Sequence, residues 1–597
     1  MKQIILPIAI VISLVSCNGD ARRYADAADL IITSGKITLP GNDTAFAQAF
    51  AVKDGKILRV GSNEEILELA GNHTQNIDVK GKTVIPGLND SHSHNVRGGR
   101  FYNSELRWDG VKTLQRALQM LKEQADRTPQ GQWVKVIGGW SPYQFEEKRM
   151  PTPEEINAAA PNIPVFVLFL YSKGWLNKTG LKALKIDEKT PALPLTRYEK
   201  GPDGKLTGAV LAEPSPNLLY KIIAELPALT DAEIENSTKH FFRELNSFGM
   251  TSSVDAGGGG HRFPENYRGT EKLAASGQMP IRISYYLFPQ NIGKELDDFK
   301  SYMDSNEIFH DGALHLEHGY ELEGAGEFLV YSVGDWENFM AIRPELADRK
   351  NWRKELKDVV SLLVTKKWPF RLHATYGETI TQVLDVFEEV DKELGLKEVR
   401  WTIDHAETIN DADLQRVKKL GGGISVQNRM AYAGEYFVDR YGKDVAKTAP
   451  PLRKILNANI PLGSGTDGTR VSSFNPWHAL YWMVSGKTIG GTILYDNDNR
   501  LSRREALHAL TNGAAWFSQE ENVKGLIKEG MYADFAVLSD DYFTVPEEEI
   551  KNITSDLTVV NGNVVYAKGD FKSLEVSIEE VIPSWSPVKY YGGFQFK

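Results

Sequence analysis

Histidine and aspartate residues recur at points where short apolar runs of this chain end. VIPGLNDSHSHN places His92 and His94 two positions apart, RLHAT and TIDHAE contribute His373 and His405, and LGSGTDG contributes Asp467. Imidazole nitrogens and carboxylate oxygens are the ligands that a zinc-type divalent ion prefers. The sequence therefore predicts a divalent metal site, with zinc as the expected ion.

Positions of these residues along predicted strands decide whether they can meet. Residues i and i+2 of a strand point to the same face, so His92 and His94 share one interior space if the strand reaches them. Apolar runs alternate with amphipathic helical stretches, which is typical of βα units, and a (β/α)8 barrel gathers its chemistry at the carboxyl ends of its strands. The eight predicted strands are TVIPGLNDSHSH, GMTSSVDAG, PIRISYYLF, GALHLEHG, WPFRLHAT, RWTIDHAE, GGISVQ and PLGSGTD.

Strand-like runs near both ends of the chain read alike. ADLIITSGKIT and AFAVKDGKILRVG, like GMYADFAVLSDD and LTVVNGNVVYAKGD, are β-rich runs, broken or joined by turn dipeptides such as Ser-Gly, Asp-Gly and Asn-Gly. They predict one β-sandwich built from both ends, although two unrelated β-appendages remain an alternative. The expected fold class is α/β, a (β/α)8 TIM-type barrel with a composite β-sandwich and a large insertion after the first barrel strand. The predicted segments are a signal peptide at 1–17, the sandwich at 23–84 plus 525–575, the barrel at 85–524 with the insertion at about 105–229, and a tail at 576–597.

Composition excludes some classes of partner. The chain has 597 residues, 41% apolar and 25% charged, with a formal net charge of −10 at pH 7. Nucleic acids and anionic membrane surfaces attract basic faces, so neither is expected as the main partner. A small-molecule substrate is expected instead, and the oligomeric state is left open, a homo-oligomer included.

The first residues resemble an export signal. MKQIILPIAIVISLVSC has Lys2, an apolar stretch too short to span a bilayer, and then small residues. Leu14-Val15-Ser16-Cys17 resembles a bacterial lipobox, which predicts that Cys17, the only cysteine, carries a lipid anchor. We expect an exported bacterial lipoprotein held at the membrane, on the periplasmic face or cell surface. The alternative is an ordinary signal peptide with an incidental cysteine.

Several motifs together resemble one protein family. VIPGLNDSHSH, FRLHATYGETI, TIDHAE and LGSGTDG resemble first-, fifth-, sixth- and eighth-strand motifs of the amidohydrolase superfamily, and within it of amidohydrolase family 3, the YtcJ-like metal-dependent hydrolases. NPWHALYWMVSG, LSRREALHALTNGAAWFS and GLIKEGMYADFAVLS are similar to the family's run into the returning sandwich. The resemblance covers nearly the whole chain after the signal.

This resemblance implies a hydrolase that cleaves a non-peptide C–N bond of a small molecule. His92, His94 and His373 would hold metal, and His405 would ligate it or polarise the scissile carbonyl. Asp467 would ligate the metal and, as general base, take a proton from metal-activated water and pass it to the leaving group. Alternatives are a metal-dependent isomerase or lyase on the same scaffold, or a non-catalytic surface binding lipoprotein.

The predicted fourth strand departs from the family pattern. Many members carry a carboxylated lysine there that bridges two metals, whereas GALHLEHGYELEGAGE contains none. His315 and Glu317 share a strand face and are the candidate ligands. One or two ions thus remain open, and the hypothesis is a single tightly bound ion.

Loops over the barrel mouth supply candidates for substrate contact. These are Trp140, Trp175, Arg429 and Trp477. Aromatic rings line many ligand pockets, but tryptophans are also commonly buried for packing alone. The substrate itself is not predicted.

Overall fold

A computed structural model describes residues 27–41, 45–258, 260–305, 319–335, 339, 346 and 349–596 of the chain. Within these ranges the strands are Leu30–Thr33 (β1), Lys36–Thr38 (β2), Phe46–Ala47 (β3), Ala49–Lys53 (β4), Lys56–Gly61 (β5), Gln75–Asp78 (β6), Thr83–Pro86 (β7), Leu88–Ser93 (β8), Val134–Ile137 (β9), Val165–Phe169 (β10), Lys173–Leu176 (β11), Thr196–Lys200 (β12), Leu206–Ala212 (β13), Met250–Asp255 (β14), Arg282–Leu287 (β15), Tyr320–Ala325 (β16), Phe370–Ala374 (β17), Trp401–His405 (β18), Gly423–Gln427 (β19), Leu462–Gly465 (β20), Phe535–Leu538 (β21), Ser555–Val560 (β22) and Asn563–Ala567 (β23).

The helices of the same ranges follow the strands in the expected alternation. They are Asn63–Leu67 (α1), Asn95–Phe101 (α2), Leu114–Arg127 (α3), Pro153–Ala159 (α4), Lys178–Ala183 (α5), Asn217–Glu225 (α6), Asp231–Ser247 (α7), Arg268–Ala275 (α8), Glu295–Ser305 (α9), Trp352–Thr365 (α10), Gly377–Leu394 (α11), Asp411–Leu420 (α12), Arg429–Tyr441 (α13), Lys443–Ala446 (α14), Leu452–Asn457 (α15), Pro476–Ser485 (α16), Arg503–Ala509 (α17), Asn512–Ala515 (α18) and Pro587–Tyr591 (α19).

Eight parallel strands form the central sheet, in the order β20-β19-β18-β17-β16-β15-β14-β8. Its edge strands meet, because the backbone N–H of Asp467 donates to the carbonyl of His92 at 2.8 Å and thereby joins the end of β20 to β8. Strands such as β17 and β18 are buried at every position, as expected where helices cover one face and packed side chains the other. The predicted (β/α)8 barrel is confirmed.

Amphipathic helices pack around this barrel. In α11, Ile380, Val383, Leu384, Phe387 and Val390 are all buried and recur every three or four residues, so one stripe of the helix faces the strands. The next helix, α12, starts at an Asn410 cap whose side chain accepts from the N–H of Asp413. These helices fix where each barrel strand ends.

Two further sheets combine the ends of the chain. One has the order β5-β4-β1-β6, and the other has the order β23-β22-β21-β7-β2-β3. In the second sheet β7 pairs antiparallel with β21, so strands from both ends share it. Residues from both sheets, including Phe50 and Phe535, pack in one apolar core, and the predicted composite β-sandwich is confirmed.

A separate five-stranded sheet, in the order β12-β13-β11-β10-β9, lies between β8 and β14 in the chain. It confirms the predicted insertion after the first barrel strand. Its core includes Ile137, Phe166, Leu168 and Val210. Strand β9 also contacts the chain that leaves the first barrel strand, because the N–H of Leu106 donates to the carbonyl of Lys135 at 2.8 Å.

The fourth barrel strand differs from the prediction. The strand that the structure describes runs over Tyr320–Ala325, directly after the predicted GALHLEHG, most of which lies outside the described residues. His315 and Glu317 lie outside the described residues, as do Cys17 and the predicted signal peptide. Among the helices that are described, none is both long and apolar enough to cross a membrane.

Candidate metal centre

The carboxyl ends of four barrel strands bring the five predicted chemical residues together. His92 lies near the end of β8 and His94 directly follows it, while His373 lies in β17 and His405 ends β18. Asp467 follows β20 by two residues. All five side chains are buried. Strand-end placement of this kind is where barrel enzymes carry their chemistry.

A first donor set consists of His92, His94 and Asp467. Oδ1 of Asp467 lies 3.0 Å from Nε2 of His94 and 3.7 Å from Nε2 of His92. The other ring nitrogen of His94 donates to the carbonyl of Gly257 at 2.7 Å, which fixes the ring and leaves Nε2 facing the carboxylate. These three side chains can therefore present two nitrogens and an oxygen to one point.

A second donor set consists of Glu327, His373 and His405. Oε2 of Glu327 lies 3.1 Å from Nδ1 of His373 and 3.3 Å from Nε2 of His405, and the two ring nitrogens are 2.9 Å apart. Glu327 follows β16 by two residues, so it stands at the end of the fourth barrel strand. Its carboxylate also faces the first set, with Oε2 at 3.6 Å from Nε2 of His92 and Oε1 at 3.8 Å from Nε2 of His94.

The donor atoms fit divalent ions. In each of two overlapping triads, His92 with Glu327 and His405, and His92 with His94 and Asp467, the candidate ligand atoms lie within 4.8 Å of one another. Ligand atoms around one tetrahedral zinc ion lie about 3.4 Å apart, given bonds near 2.1 Å. Among the described residues, the buried Nε2 of His92 and Nδ1 of His405 have no hydrogen-bond partner. Buried imidazole nitrogens without partners are costly, and a bound cation would satisfy Nε2 of His92 at the point where both triads meet.

A buried ion pair between Arg371 and Asp404 contacts Nδ1 of His92, the ring nitrogen that does not face the other donor atoms. Arg371 donates through Nε and Nη2 to Asp404 at 2.8 and 2.5 Å, and Oδ1 of Asp404 lies 3.1 Å from Nδ1 of His92. Burial opposes ionisation of Asp404, but Arg371 and His92 outweigh it and lower the pKa of Asp404 to about 2. A carboxylate behind a histidine orients the ring and makes its far nitrogen a stronger ligand.

The backbone is strained at His405 and Asp467, which lie at the carboxyl ends of β18 and β20. His405 has φ = 81° and Asp467 has φ = 52°, and both lie in the left-handed region that non-glycine residues rarely adopt. Asp90 fixes the segment that enters Asp467, because its carboxylate accepts from the N–H of Thr466 at 3.1 Å and from the N–H of His92 at 2.9 Å. Both observations indicate that surrounding structure holds these side chains in place.

Electrostatics set the protonation of the centre. Burial acts against ionisation of Asp467, but its contact with His94 and the charge of His92 outweigh burial and lower the pKa of Asp467. Burial, together with the charges of Arg429 and His373, holds the pKa of His405 well below its usual 6.5. Asp467 is therefore a carboxylate, able to accept a proton or bind a cation, and His405 is a neutral imidazole.

Of the four predicted substrate contacts, three are buried tryptophans and one is an arginine whose charge acts on the donor sets. Trp140 and Trp477 are fully buried and donate their indole N–H to the carbonyls of Leu168 and Phe248, and Trp175 is buried in β11. Arg429 lies closer, since its charge acts on Asp467 and His405. Its guanidinium donates to Glu407 through Nε at 3.0 Å and through Nη2 at 2.6 Å. The role of these four residues in substrate binding stays a prediction.

Sequence reasoning missed Glu327, Arg371 and Asp404. The signal for Glu327 was present, because it follows the apolar-ended run YELEGAG in the same way that His94 follows LNDSHS. The ligands of the fourth strand were predicted in LHLEHG instead, because that stretch contains two histidines. Arg371 is two residues from His373 in the same strand, so strand parity places both side chains on the inner face.

Comparisons with known proteins agree with this geometry. A family model described as "Amidohydrolase family" matches residues 75–566. YtcJ of Bacillus subtilis (strain 168), whose name assigns it provisionally to the amidohydrolases, is 24% identical over 542 residues, which is 87% of this chain and 96% of YtcJ. An N-substituted formamide deformylase of Arthrobacter pascens is 24% identical over 558 residues, covering 90% of this chain and 98% of the relative. The crystal structure of an uncharacterized metal-dependent hydrolase from Pyrococcus horikoshii OT3 shares the fold, with 22% identity and a TM-score of 0.60 over 87% of this chain and 99% of that chain.

Proposed function

The chain belongs to the amidohydrolase family and is a metal-dependent hydrolase, and from this premise we propose that it cleaves an amide-type C–N bond, other than a peptide bond, in a small molecule. The observation that carries the proposal is the meeting of two donor sets around His92 and Glu327 at the carboxyl end of the barrel. The name of the Arthrobacter pascens relative, an N-substituted formamide deformylase, supports a C–N bond as the target.

Two divalent ions suit these donors better than one. His373 and His405 face Oε2 of Glu327, while Oε1 of Glu327 faces His94 beside Asp467. The carboxylate thus stands between the sets at the end of the fourth barrel strand, the strand on which the family resemblance implies a lysine. We therefore replace the single-ion hypothesis by two ions, which His92, His94, Asp467 and Glu327, His373, His405 would hold, with zinc preferred because the donors are imidazoles and carboxylates. Elemental analysis of the purified protein tests this, since one metal per chain would return the proposal to a single ion.

Bound by these residues, a divalent ion would lower the pKa of a water molecule toward neutrality and would polarise a carbonyl oxygen. Asp467 then supplies the proton traffic: its carboxylate is ionised, buried and fixed by the backbone around Thr466, so it can take a proton from water and return it to the departing nitrogen. His405 is neutral, and its Nδ1 lies 4.0 Å from Oδ2 of Asp467. From this position His405 can ligate a cation or orient the scissile group.

The test compares wild type with Asp467→Asn on a panel of N-formyl amines, N-acetyl amines and cyclic amides. Removing a general base lowers kcat by about 10²- to 10⁴-fold. Asp444→Asn, at an exposed carboxylate, is the matched control and should leave kcat unchanged. Treatment with a chelator should abolish turnover, and added Zn²⁺ should restore it. Turnover that survives both Asp467→Asn and metal removal would contradict the proposal, and product formed without uptake of water would indicate an isomerase or lyase.

The location of the protein is also part of the proposal. The apolar stretch before Leu14-Val15-Ser16-Cys17 supports export and lipid attachment at Cys17. Palmitate labelling of wild type and Cys17→Ala tests it, with labelling expected in wild type alone. Equal labelling of both proteins would refute the anchor.

A further inference from the structure

Three arginines lie next to the metal centre and take no part in it. Helix α2 begins directly after His94 and carries Arg97 and Arg100, and Arg470 follows Asp467 by three residues. Arg97 is only 2% exposed and Arg470 only 3%, so both guanidinium groups belong to the interior. One helical turn separates Arg97 from His94, about 4.5 Å along the axis.

Several N–H groups of the two buried arginines have neither a hydrogen-bond acceptor nor a counterion among the described residues. Within the described part of the chain, Nε and Nη2 of Arg97 and Nε of Arg470 have no hydrogen-bond partner, and no ion pair is formed by Arg97, Arg100 or Arg470. Arg97 donates only through Nη1, to the hydroxyl of Tyr171 at 3.2 Å. A buried charge without a hydrogen-bonded counterion is costly and rare in folded proteins.

These arginines form one cluster. The guanidinium carbons of Arg100 and Arg470 lie 5.0 and 5.9 Å from the centre of the same Phe101 ring. Arg97 and Arg100 are three positions apart in α2 and so share a helix face. Burial, followed by the charge of Arg470, lowers the pKa of Arg100 to about 10, as expected for a partly buried cation beside another cation.

Nearby carboxylates are already committed elsewhere. Asp255 accepts from the N–H groups of Val96 and Gly257 at 2.8 and 2.9 Å, one to each oxygen. Glu105 pairs with Arg107 at 2.9 Å. The charges of Arg97 and Arg470 act on Asp255 and Glu105, but neither carboxylate forms an ion pair with the cluster within the described ranges. An oxyanion from outside the chain would therefore satisfy several N–H groups that have no partner among the described residues.

We propose that Arg97, Arg100 and Arg470 bind an anionic oxygen group of the substrate, a carboxylate in the simplest case, while the C–N bond of the same molecule lies at the metal centre. This inference rests on the proposed function and narrows it to acylated amines that carry a negative charge. Guanidinium forks match carboxylates and phosphates in shape, and cationic lining attracts such substrates into a protein whose net charge is −10.

Binding without turnover is the first test. Isothermal titration of the purified full-length protein with phenylacetate, succinate and inorganic phosphate, and with uncharged 2-phenylethanol, measures the preference for anions. We expect at least one anion to bind, and Arg97→Gln and Arg470→Gln to weaken it by about 10- to 100-fold, the loss of one charge-assisted hydrogen bond or more. Arg268→Gln, at an exposed arginine, removes the same charge and should have little effect.

The outcomes separate the alternatives. Strongest binding by phosphate would keep the subsite and change the substrate class to phosphorylated amides. Anion binding that is equally tight in both arginine variants would place the anion on the metal and overturn the proposal. No measurable binding by any of the three anions would also overturn it.

Kinetics separate this inference from the proposed function. N-formylphenylalanine and N-formyl-2-phenylethylamine differ only by a carboxylate. We expect wild type to prefer the acid in kcat/KM, and Arg97→Gln and Arg470→Gln to lose that preference because kcat/KM falls much further for the acid than for the neutral formamide. Equal use of both compounds by wild type would overturn the anion subsite and leave the hydrolase intact. Hydrolysis of neither compound, with anion binding retained, would count against the proposed bond instead.

Discussion

Among the described residues six arginines are equally hidden from solvent, yet they fall into two groups. Four are held by carboxylates: Arg107 by Glu105 and Asp109, Arg282 by Asp534, Arg371 by Asp404, and Arg429 by Glu407. Two, Arg97 and Arg470, form no ion pair within the same ranges.

Three of the paired arginines, Arg282, Arg371 and Arg429, connect separate parts of the chain. Arg371 joins β17 to β18, and Arg282, at the start of β15, joins the barrel to Asp534 just before β21. The unpaired arginines instead follow His94 and Asp467 closely in the chain. Burial alone therefore does not distinguish an arginine that stabilises the fold from one that is kept for a ligand, whereas the presence of a counterion does.

Arg371→Gln is expected to lower the free energy of unfolding the most. It leaves Asp404 buried without its cation, and removal of one partner of a buried pair costs about 3–5 kcal/mol. Guanidinium unfolding should show this loss, whereas Arg353→Gln, which breaks an exposed pair with Glu389, should cost less than about 1 kcal/mol. Equal losses in the free energy of unfolding for the two substitutions would show that Arg371 stabilises the fold no more than an exposed pair does.

Asp404→Asn tests the link between the pair and the metal centre. It removes the carboxylate behind His92, and loss of such an outer partner lowers metal affinity by about 10- to 100-fold. Competition with a fluorescent zinc chelator measures the affinity. Asp413→Asn, at a buried carboxylate in the first turn of α12, is the control. Unchanged zinc affinity in Asp404→Asn would detach the ion pair from the metal centre.

Glu323 can be compared with the unpaired arginines, because it is a buried acid with no ion pair in the described part of the chain. Burial raises its pKa from the usual 4.5 to about 8. An acid can thus escape an unpaired charge by keeping its proton, which arginine cannot do. Its contribution to stability is fully present below about pH 4.5 and is lost as pH rises to about 8, at up to about 1.4 kcal/mol per pH unit.

Glu323→Gln should remove this pH dependence. Glutamine mimics the protonated acid and can still accept from Gln519, which donates to Oε1 of Glu323 at 2.7 Å. We expect variant and wild type to be equally stable at pH 5 and the variant to be more stable at pH 8, measured by thermal unfolding. Glu68→Gln, at an exposed site, should follow wild type at both pH values. Parallel pH profiles of Glu323→Gln and wild type would show that Glu323 titrates normally.

The smallest expected change belongs to the unpaired group. Arg470→Gln removes a buried charge that has no counterion, so the free energy of unfolding without ligand should change by less than about 1 kcal/mol or rise. The melting temperature gives the measurement, with Arg371→Gln as the contrasting variant. A loss as large as that of Arg371→Gln would place Arg470 among the structural arginines.

Periodicity in the sequence was enough to predict the barrel and most of the centre. His92, His94, His373, His405 and Asp467 come at the ends of apolar runs, and the parallel sheet brings those ends to one rim. Glu327 was not predicted, because the histidines of LHLEHG resembled ligands more than the single Glu327 after YELEGA did, and LHLEHG lies almost wholly outside the described residues.

Partnership between charges was not predictable in the same way. Arg97 and Arg371 look alike in sequence, since each stands in a short run near a histidine. Their difference depends on whether a carboxylate from another element arrives within hydrogen-bond distance, as Asp404 does for Arg371. Such contacts are set by tertiary packing, which local patterns do not encode.

The composite β-sandwich imposes an order of assembly on the nascent chain. Strand β7 has been synthesised before the barrel begins, but its partner β21 emerges only after the whole barrel, since Pro86 pairs with Phe535. Until then Val84 and Ile85 have no partner strand on that edge. The amino-terminal strands must therefore wait, exposed or transiently covered, while the barrel folds, and closure of the sandwich is the step that completes the molecule.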